Sequence, residues 1–166
     1  MVPAMIDRRL LAWFVLAVSV AALAVALTAQ FGFSLRPCVL CLAQRVPFVV
    51  AGLLAAGALL VPERWRRPLL LLAGLAFLVN AGIAVYHVGV EQKWWASAVC
   101  PAGDAPGLSV DDLAALMQKP AEVRCDEPAW AWHGVTMAAM NVVFSGLLAV
   151  VVLAAAGRRP TGEPRR

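Results

Sequence analysis

Charge is what this chain has least of. Only 14% of its 166 residues are charged and 62% are hydrophobic, against about 25% and about 45–50% in an ordinary soluble domain. So much apolar surface cannot be hidden in a small globule, which makes the bilayer the expected solvent. The chain also lacks G-x-G-x-x-G, a P-loop and H-E-x-x-H, so it encodes no dinucleotide cradle, phosphate loop or zincin helix. No basic stripe with interleaved aromatics is present, and the net charge of +4 is therefore not a nucleic-acid footprint. There is no internal repeat, and no linker long enough to set off a second domain.

What the chain does have is four apolar segments, at 10–30, 46–61, 69–90 and 134–156. About 20 apolar residues are needed to cross a bilayer as a helix. Three segments are long enough outright, and the second suffices only if its helix begins near Cys41. The expectation is an all-α membrane protein, a single four-transmembrane-helix bundle with helices at about 10–30, 42–61, 69–90 and 134–156. A long loop (91–133) precedes the last helix, and a tail (157–166) follows it. Arg8 and Arg9 precede the first segment and A-V-A at 24–26 resembles a cleavage site. The apolar run nevertheless exceeds the roughly 7–15 residues of a signal-peptide core, so this segment is expected to remain as a helix.

Basic residues beside the spans set the orientation. Arg8, Arg9, Arg64, Arg66, Arg67, Arg158, Arg159, Arg165 and Arg166 fall on the side of the termini and the 62–68 connection, which reads as a tight turn. The opposite side carries an acidic excess. Both termini are therefore expected in the cytoplasm, and all four cysteines fall on the far side. An even cysteine count there, with none in the cytoplasmic segments, fits a disulfide-permissive compartment, which in a bacterium is the periplasm.

Within the long loop, S-V-D-D at 109–112 reads as a capped helix start. Val110, Leu113 and Met117 then share one face, as a surface anchor or a fold of the loop on itself. Gly52, Gly57, Gly74, Gly82, Ser145 and Gly146 are expected to permit close helix packing. Trp94, Trp95, Trp130 and Trp132 read as an interfacial belt.

The chemistry gathers at P-C-V-L-C-L-A-Q-R, residues 37–45. Pro37 suits a first helical turn, so Cys38 and Cys41 lie at a helix N-terminus, where the macrodipole and free N–H groups favour a thiolate. Arg45 follows Cys41 by four positions and is expected on the same face. A guanidinium at the edge of hydrocarbon is costly, so it carries either a functional role or a snorkelling one. Cys100 and Cys125 match no compact metal knuckle, and only one close pair is present, which argues against zinc or copper. A static staple worth about 3 kcal/mol is one reading of the loop cysteines; exchange with the nearby C-x-x-C is the other. His87 is read either as a hydrogen-bond or proton partner for a quinone oxygen or as an interfacial histidine on helix-end carbonyls. Asn80 and Asn141 are expected to bond between helices, and His133 to lie at the interface. With no room for a flavin domain, a lipid-soluble quinone is the simplest electron acceptor by elimination.

With these motifs in place, the chain resembles the disulfide bond formation protein B (DsbB) family from about residue 10 to 156. The resemblance rests on residues 37–45, on Y-H-V-G-V-E-Q at 86–92, and on Cys100 and Cys125 in one outer loop; G-V-T-M-A-A-M-N at 134–141 is a weaker match. It implies a thiol:quinone oxidoreductase of the bacterial inner membrane with a soluble, thioredoxin-like DsbA partner and ubiquinone or menaquinone as acceptor. It also implies that Cys100–Cys125 is the shuttle disulfide. Cys100 would pair with the partner and Cys125 would attack Cys38. Cys41 would then donate to the quinone, with Arg45 positioning it and His87 close by. Gln44 stands where the best-known member has an acidic residue, and Ala138 where a proline often follows the methionine. The rivals are a relative serving one dedicated partner, a vitamin K epoxide reductase-like enzyme (whose C-x-x-C falls late in the bundle), and a membrane protein with static disulfides.

Overall fold

The computed structural model describes residues 7–100 and 123–158. Helix α1 (Arg8–Gly32) opens on Asp7, whose carboxylate accepts the Arg9 backbone N–H at 2.9 Å. A short α2 (Val39–Ala43) and α3 (Arg45–Leu60) follow, then α4 (Glu63–Glu91). Strands β1 (Ala131–Trp132) and β2 (Val135–Thr136) form an antiparallel hairpin before α5 (Met137–Gly157). His133 and Gly134 turn the hairpin with φ of 48° and 82°, the paired positive φ of a type I′ turn.

Among the described residues four helical segments are long and apolar enough to cross a membrane: α1, the run Val39–Leu60 made of α2 and α3, α4 and α5. The second thus starts at Val39, just ahead of Cys41, and gains the length its apolar run lacked. It is also interrupted, at Gln44. Pro47 has no N–H for the Ala43 carbonyl, which loosens the helix at that turn. The 62–68 connection is not the expected turn. Glu63 to Pro68 are already helical, and Pro62 precedes α4 as its cap. Pro68 sits early enough that it removes a single intrahelical bond. The 109–112 cap and the face of Val110, Leu113 and Met117 lie outside the described residues.

Neighbouring spans pack in sequence, α1 on α3, α3 on α4 and α4 on α5, whereas α1 and α5 barely meet. Leu11, Ala12, Val15, Phe48, Ala55, Phe77 and Val152 form the interior. In lipid such packing is held by close van der Waals fit. A side chain at Gly74 would come within 2.8 Å of Leu153, and one at Gly52 within 3.3 Å of Ser19. Gly82 and Gly146 meet nothing within 4 Å, so packing does not account for them.

One end of the bundle is tied by arginines that cap helix carbonyls, as the unsatisfied last turn requires. Arg66 Nε donates to the Ala58 carbonyl at 3.2 Å, Arg67 Nε to Ala156 at 3.3 Å, and an Arg8 terminal nitrogen to Arg158 at 3.5 Å. Glu63 pairs with both Arg8 and Arg66. The cysteines lie at the other end.

Candidate functional site

Cys38 caps α2, its sulfur accepting the Cys41 backbone N–H at 3.3 Å. The two thiols are 2.8 Å apart and unbonded. This places the C-x-x-C at a helix start, as its flanking residues implied. His87 Nε2 lies 3.6 Å from the Cys38 sulfur. Cys38, just outside the span, is held below the ordinary thiol range by the Cys41 thiol, with His87 adding to the effect and burial opposing it.

Cys100 and Cys125 are joined in a disulfide with Cα atoms 6.0 Å apart. Both are buried, and they share one apolar cluster with Cys38, Leu40 and Val90, against which Cys41, Tyr86 and Val123 pack. The structure therefore brings all four cysteines together. The segment leading to Cys100 is fastened to α4 by aromatic contacts. Trp95 stacks on Tyr86 at 5.9 Å and donates through Nε1 to the Tyr86 carbonyl at 3.2 Å. The Tyr86 hydroxyl accepts the Ala98 N–H at 3.2 Å. Trp94, Trp95, Trp130 and Trp132 are exposed, as a belt would be, but Trp95 is also a clamp.

Arg45 departs from expectation. Its guanidinium turns to α1, donating to Gln30 Oε1 at 2.6 Å and to the Ala26 carbonyl at 3.4 Å. The break at Gln44 takes it off the simple helical register that would stack it over Cys41. It still lines the same cavity as the two free cysteines, and it is neither free nor simply snorkelling.

His87 is 4% exposed and does not sit on helix-end carbonyls. Its Nδ1 lies 2.9 Å from Gln44 Nε2, and its Nε2 lies 3.8 Å from Glu91 Oε1. Glu91 in turn accepts from the Thr136 hydroxyl at 2.6 Å. His133 is exposed, with its ring edge-on to Trp132. Asn80 and Asn141 do bond between helices, and Asn141 Nδ2 also reaches Gln44 Oε1 at 2.6 Å. From the sequence Gln44 stood out only as a departure from the family and Ser145 only as a small packing residue, while Gln30 and Thr136 had no assigned role. The available signal was a set of polar side chains at membrane depth, which is costly without partners.

The ligand atoms of Cys38, Cys41 and His87 lie within 4.8 Å of one another, a set able to hold a metal ion. Spacing along the chain pointed away from a metal because the third donor comes from a different helix.

These groups edge a cavity of about 970 Å³. Cys38, Cys41, Gln44, Arg45, His87 and Glu91 form its polar end; Ala22, Phe48, Met140 and Phe144 belong to its apolar wall. It occupies the gap between α1 and α5, where exposed Val25, Val143 and Leu147 border it. An apolar cleft with a few convergent polar groups is the usual form of a small-molecule site.

Comparison with known proteins identifies the family. The family model "Disulfide bond formation protein DsbB" matches residues 8–155. Disulfide bond formation protein B of Neisseria meningitidis serogroup A is 37% identical over 94 residues, 57% of this chain and 56% of that protein. The chain thus spans a little over half the length of the Neisseria relatives in those matches. Disulfide bond formation protein B of Aeromonas salmonicida is 31% identical over 161 residues, 92% of this chain and 91% of that one. No solved structure matches. With four helices able to span a bilayer and a family match over nearly its whole length, the chain belongs to the DsbB family of multi-pass membrane proteins.

Proposed function

We propose that this protein is a thiol:quinone oxidoreductase of the bacterial inner membrane that reoxidises a periplasmic, thioredoxin-like partner of the DsbA type. One observation carries the reading: two cysteine pairs share a single apolar cluster, and one of them lines the polar end of a cavity that lies between α1 and α5. A structural staple has no need of a second, unbonded thiol pair beside it.

In this reading both termini are cytoplasmic and the cysteine end faces the periplasm. A partner thiolate attacks Cys100, breaking Cys100–Cys125 and forming a mixed disulfide. The partner's second thiolate resolves it, leaving the partner oxidised and Cys100 and Cys125 reduced. Cys125 then attacks Cys38 of an oxidised Cys38–Cys41 pair and expels Cys41 as thiolate. Attack by Cys100 on Cys125 restores the shuttle disulfide and leaves Cys38 and Cys41 reduced. Re-forming Cys38–Cys41 releases an electron pair and two protons, and a quinone held in the cavity would supply the sink for them. The cavity fits such a group, being apolar along its length and carrying the Arg45 cation at the cysteine end. Arg45 would hold such a group by a carbonyl oxygen, Cys41 would serve as its electron donor, and His87 holds the Cys38 sulfur. DsbA-type oxidants sit near about −120 mV, so their reoxidation calls for an acceptor of higher potential, which a quinone provides.

Membranes carrying the protein, with and without extracted quinone, test this. Reduced partner should reduce Cys38–Cys41 without quinone, and added quinone should reoxidise the pair. Cys41→Ser should keep Cys100–Cys125 exchange with the partner and lose quinone reduction. A Cys38–Cys41 pair that stays oxidised under excess reduced partner would return the chain to a structural role.

A further inference from the structure

The polar side chains that cross the bundle beneath the cysteines form a single hydrogen-bonded string with one direction. Asn80 Nδ2 donates to Ser145 Oγ at 2.8 Å, and the Ser145 hydroxyl donates to Asn141 Oδ1 at 2.9 Å. Asn141 Nδ2 donates to Gln44 Oε1 at 2.6 Å. The Gln44 amide, with its oxygen so engaged, presents Nε2 to His87 Nδ1 at 2.9 Å. An amide nitrogen only donates, so Nδ1 must accept, and the proton of a neutral imidazole is left on Nε2. That nitrogen faces the Cys38 sulfur at 3.6 Å and Glu91 Oε1 at 3.8 Å.

The far end of the string reveals its polarity. Asn80 is fully buried, and its Oδ1 has no partner. Turning Gln44 and Asn141 over would set Asn141 Nδ2 against Asn80 Nδ2, donor against donor. Turning Asn80 as well would strand a buried N–H in place of a buried carbonyl oxygen, and orphaned donors are the rarer kind. The string runs toward the cysteines and leaves its unsatisfied acceptor at the distant end.

We propose that Gln44 and Asn141 are positioning residues that fix His87 as its Nε2–H tautomer and aim that N–H at the Cys38 sulfur. His87 is then a built-in donor to a Cys38 thiolate, alongside the Cys41 backbone N–H. The same tautomer occupies the nitrogen a metal ion would need, so the Cys38, Cys41 and His87 set is poised for thiol chemistry over metal capture. The consequence for turnover rests on the oxidoreductase reading; the tautomer does not.

The chain has two histidines, which makes the test direct. Histidine-¹⁵N-labelled protein is reduced in detergent without quinone or partner, with His133→Asn assigning the second ring. His87 should give a protonated Nε2 and an unprotonated Nδ1. Gln44→Glu places a carboxylate at Nδ1 and should invert the pattern. It should also move the pH midpoint of Cys38 alkylation up by about one unit, a roughly tenfold slower rate at any pH below that midpoint. The uncharged Asn141→Leu should give a mixture of tautomers and an intermediate alkylation rate. An Nδ1–H signal in the unsubstituted protein, or a tautomer unmoved by Gln44→Glu, overturns the proposal. If tautomer and thiol reactivity shift as expected but the unsubstituted protein reduces no quinone, the oxidoreductase reading fails and the positioning role stands.

Discussion

Gly89 allows the clamp on the Cys100 segment, and its replacement tests how that segment is held. A Cβ added there would fall 2.0 Å from Trp95 Cζ2, 2.4 Å from Cε2 and 2.6 Å from Cη2, where carbon atoms prefer about 3.5–4.0 Å. Gly89 is buried in α4, so the indole must move by more than an ångström. Doing so breaks the stack on Tyr86, worth about 0.5–1.5 kcal/mol. It also breaks the Nε1 bond to the Tyr86 carbonyl, worth another ~0.5–1.5 kcal/mol. The sum of about 1–3 kcal/mol corresponds to a roughly 5- to 150-fold larger open population of the 92–100 segment. Hydrogen exchange of Gly89→Ala in nanodiscs reads this as faster exchange at Ala98 and Cys100, together with a change in tryptophan fluorescence. Gly82→Ala is the control, since nothing lies within 4 Å of that site, and it should leave the segment protected. Equal protection in Gly89→Ala and the unsubstituted protein would refute the clamp.

Arg45→Ala should raise the quinone KM about tenfold or more, as loss of a charged hydrogen bond implies, while the partner's exchange rate with Cys100–Cys125 holds. An unchanged KM would confine Arg45 to tying α3 to α1. The Asp126 carboxyl is held below its ordinary range by Arg124, which bonds it at 2.9 and 2.6 Å beside Cys125. Because its folded pKa is depressed, its contribution is present above the unfolded carboxylate value and is lost as pH falls through the folded one. The pair is only partly buried, with side chains 37% and 22% exposed, so solvent screening leaves Asp126→Asn a small effect on thermal stability at neutral pH; a large loss would mean the pair anchors the Cys125 turn.

The sequence by itself determined the architecture and the identity of the reactive groups. Runs of apolar residues at 10–30, 69–90 and 134–156 needed no tertiary information to be read as spans, because length and hydropathy alone decide whether a helix can cross a bilayer. Pro37 before Cys38 likewise marked a helix start from local geometry. The helix beginning at Glu63 escaped notice because its charged first turns carry no apolar signal. Tertiary structure alone decided which groups meet. Cys38 and His87, Glu91 and Thr136, and Asn141 and Gln44 come from separate parts of the chain, and no spacing rule links residues whose distance is set by how the elements pack. Packing also turned Arg45 toward Gln30 and gave the amides of Gln44 and Asn141 their direction. A hydrogen bond depends on donor and acceptor facing each other, and only the folded bundle supplies that.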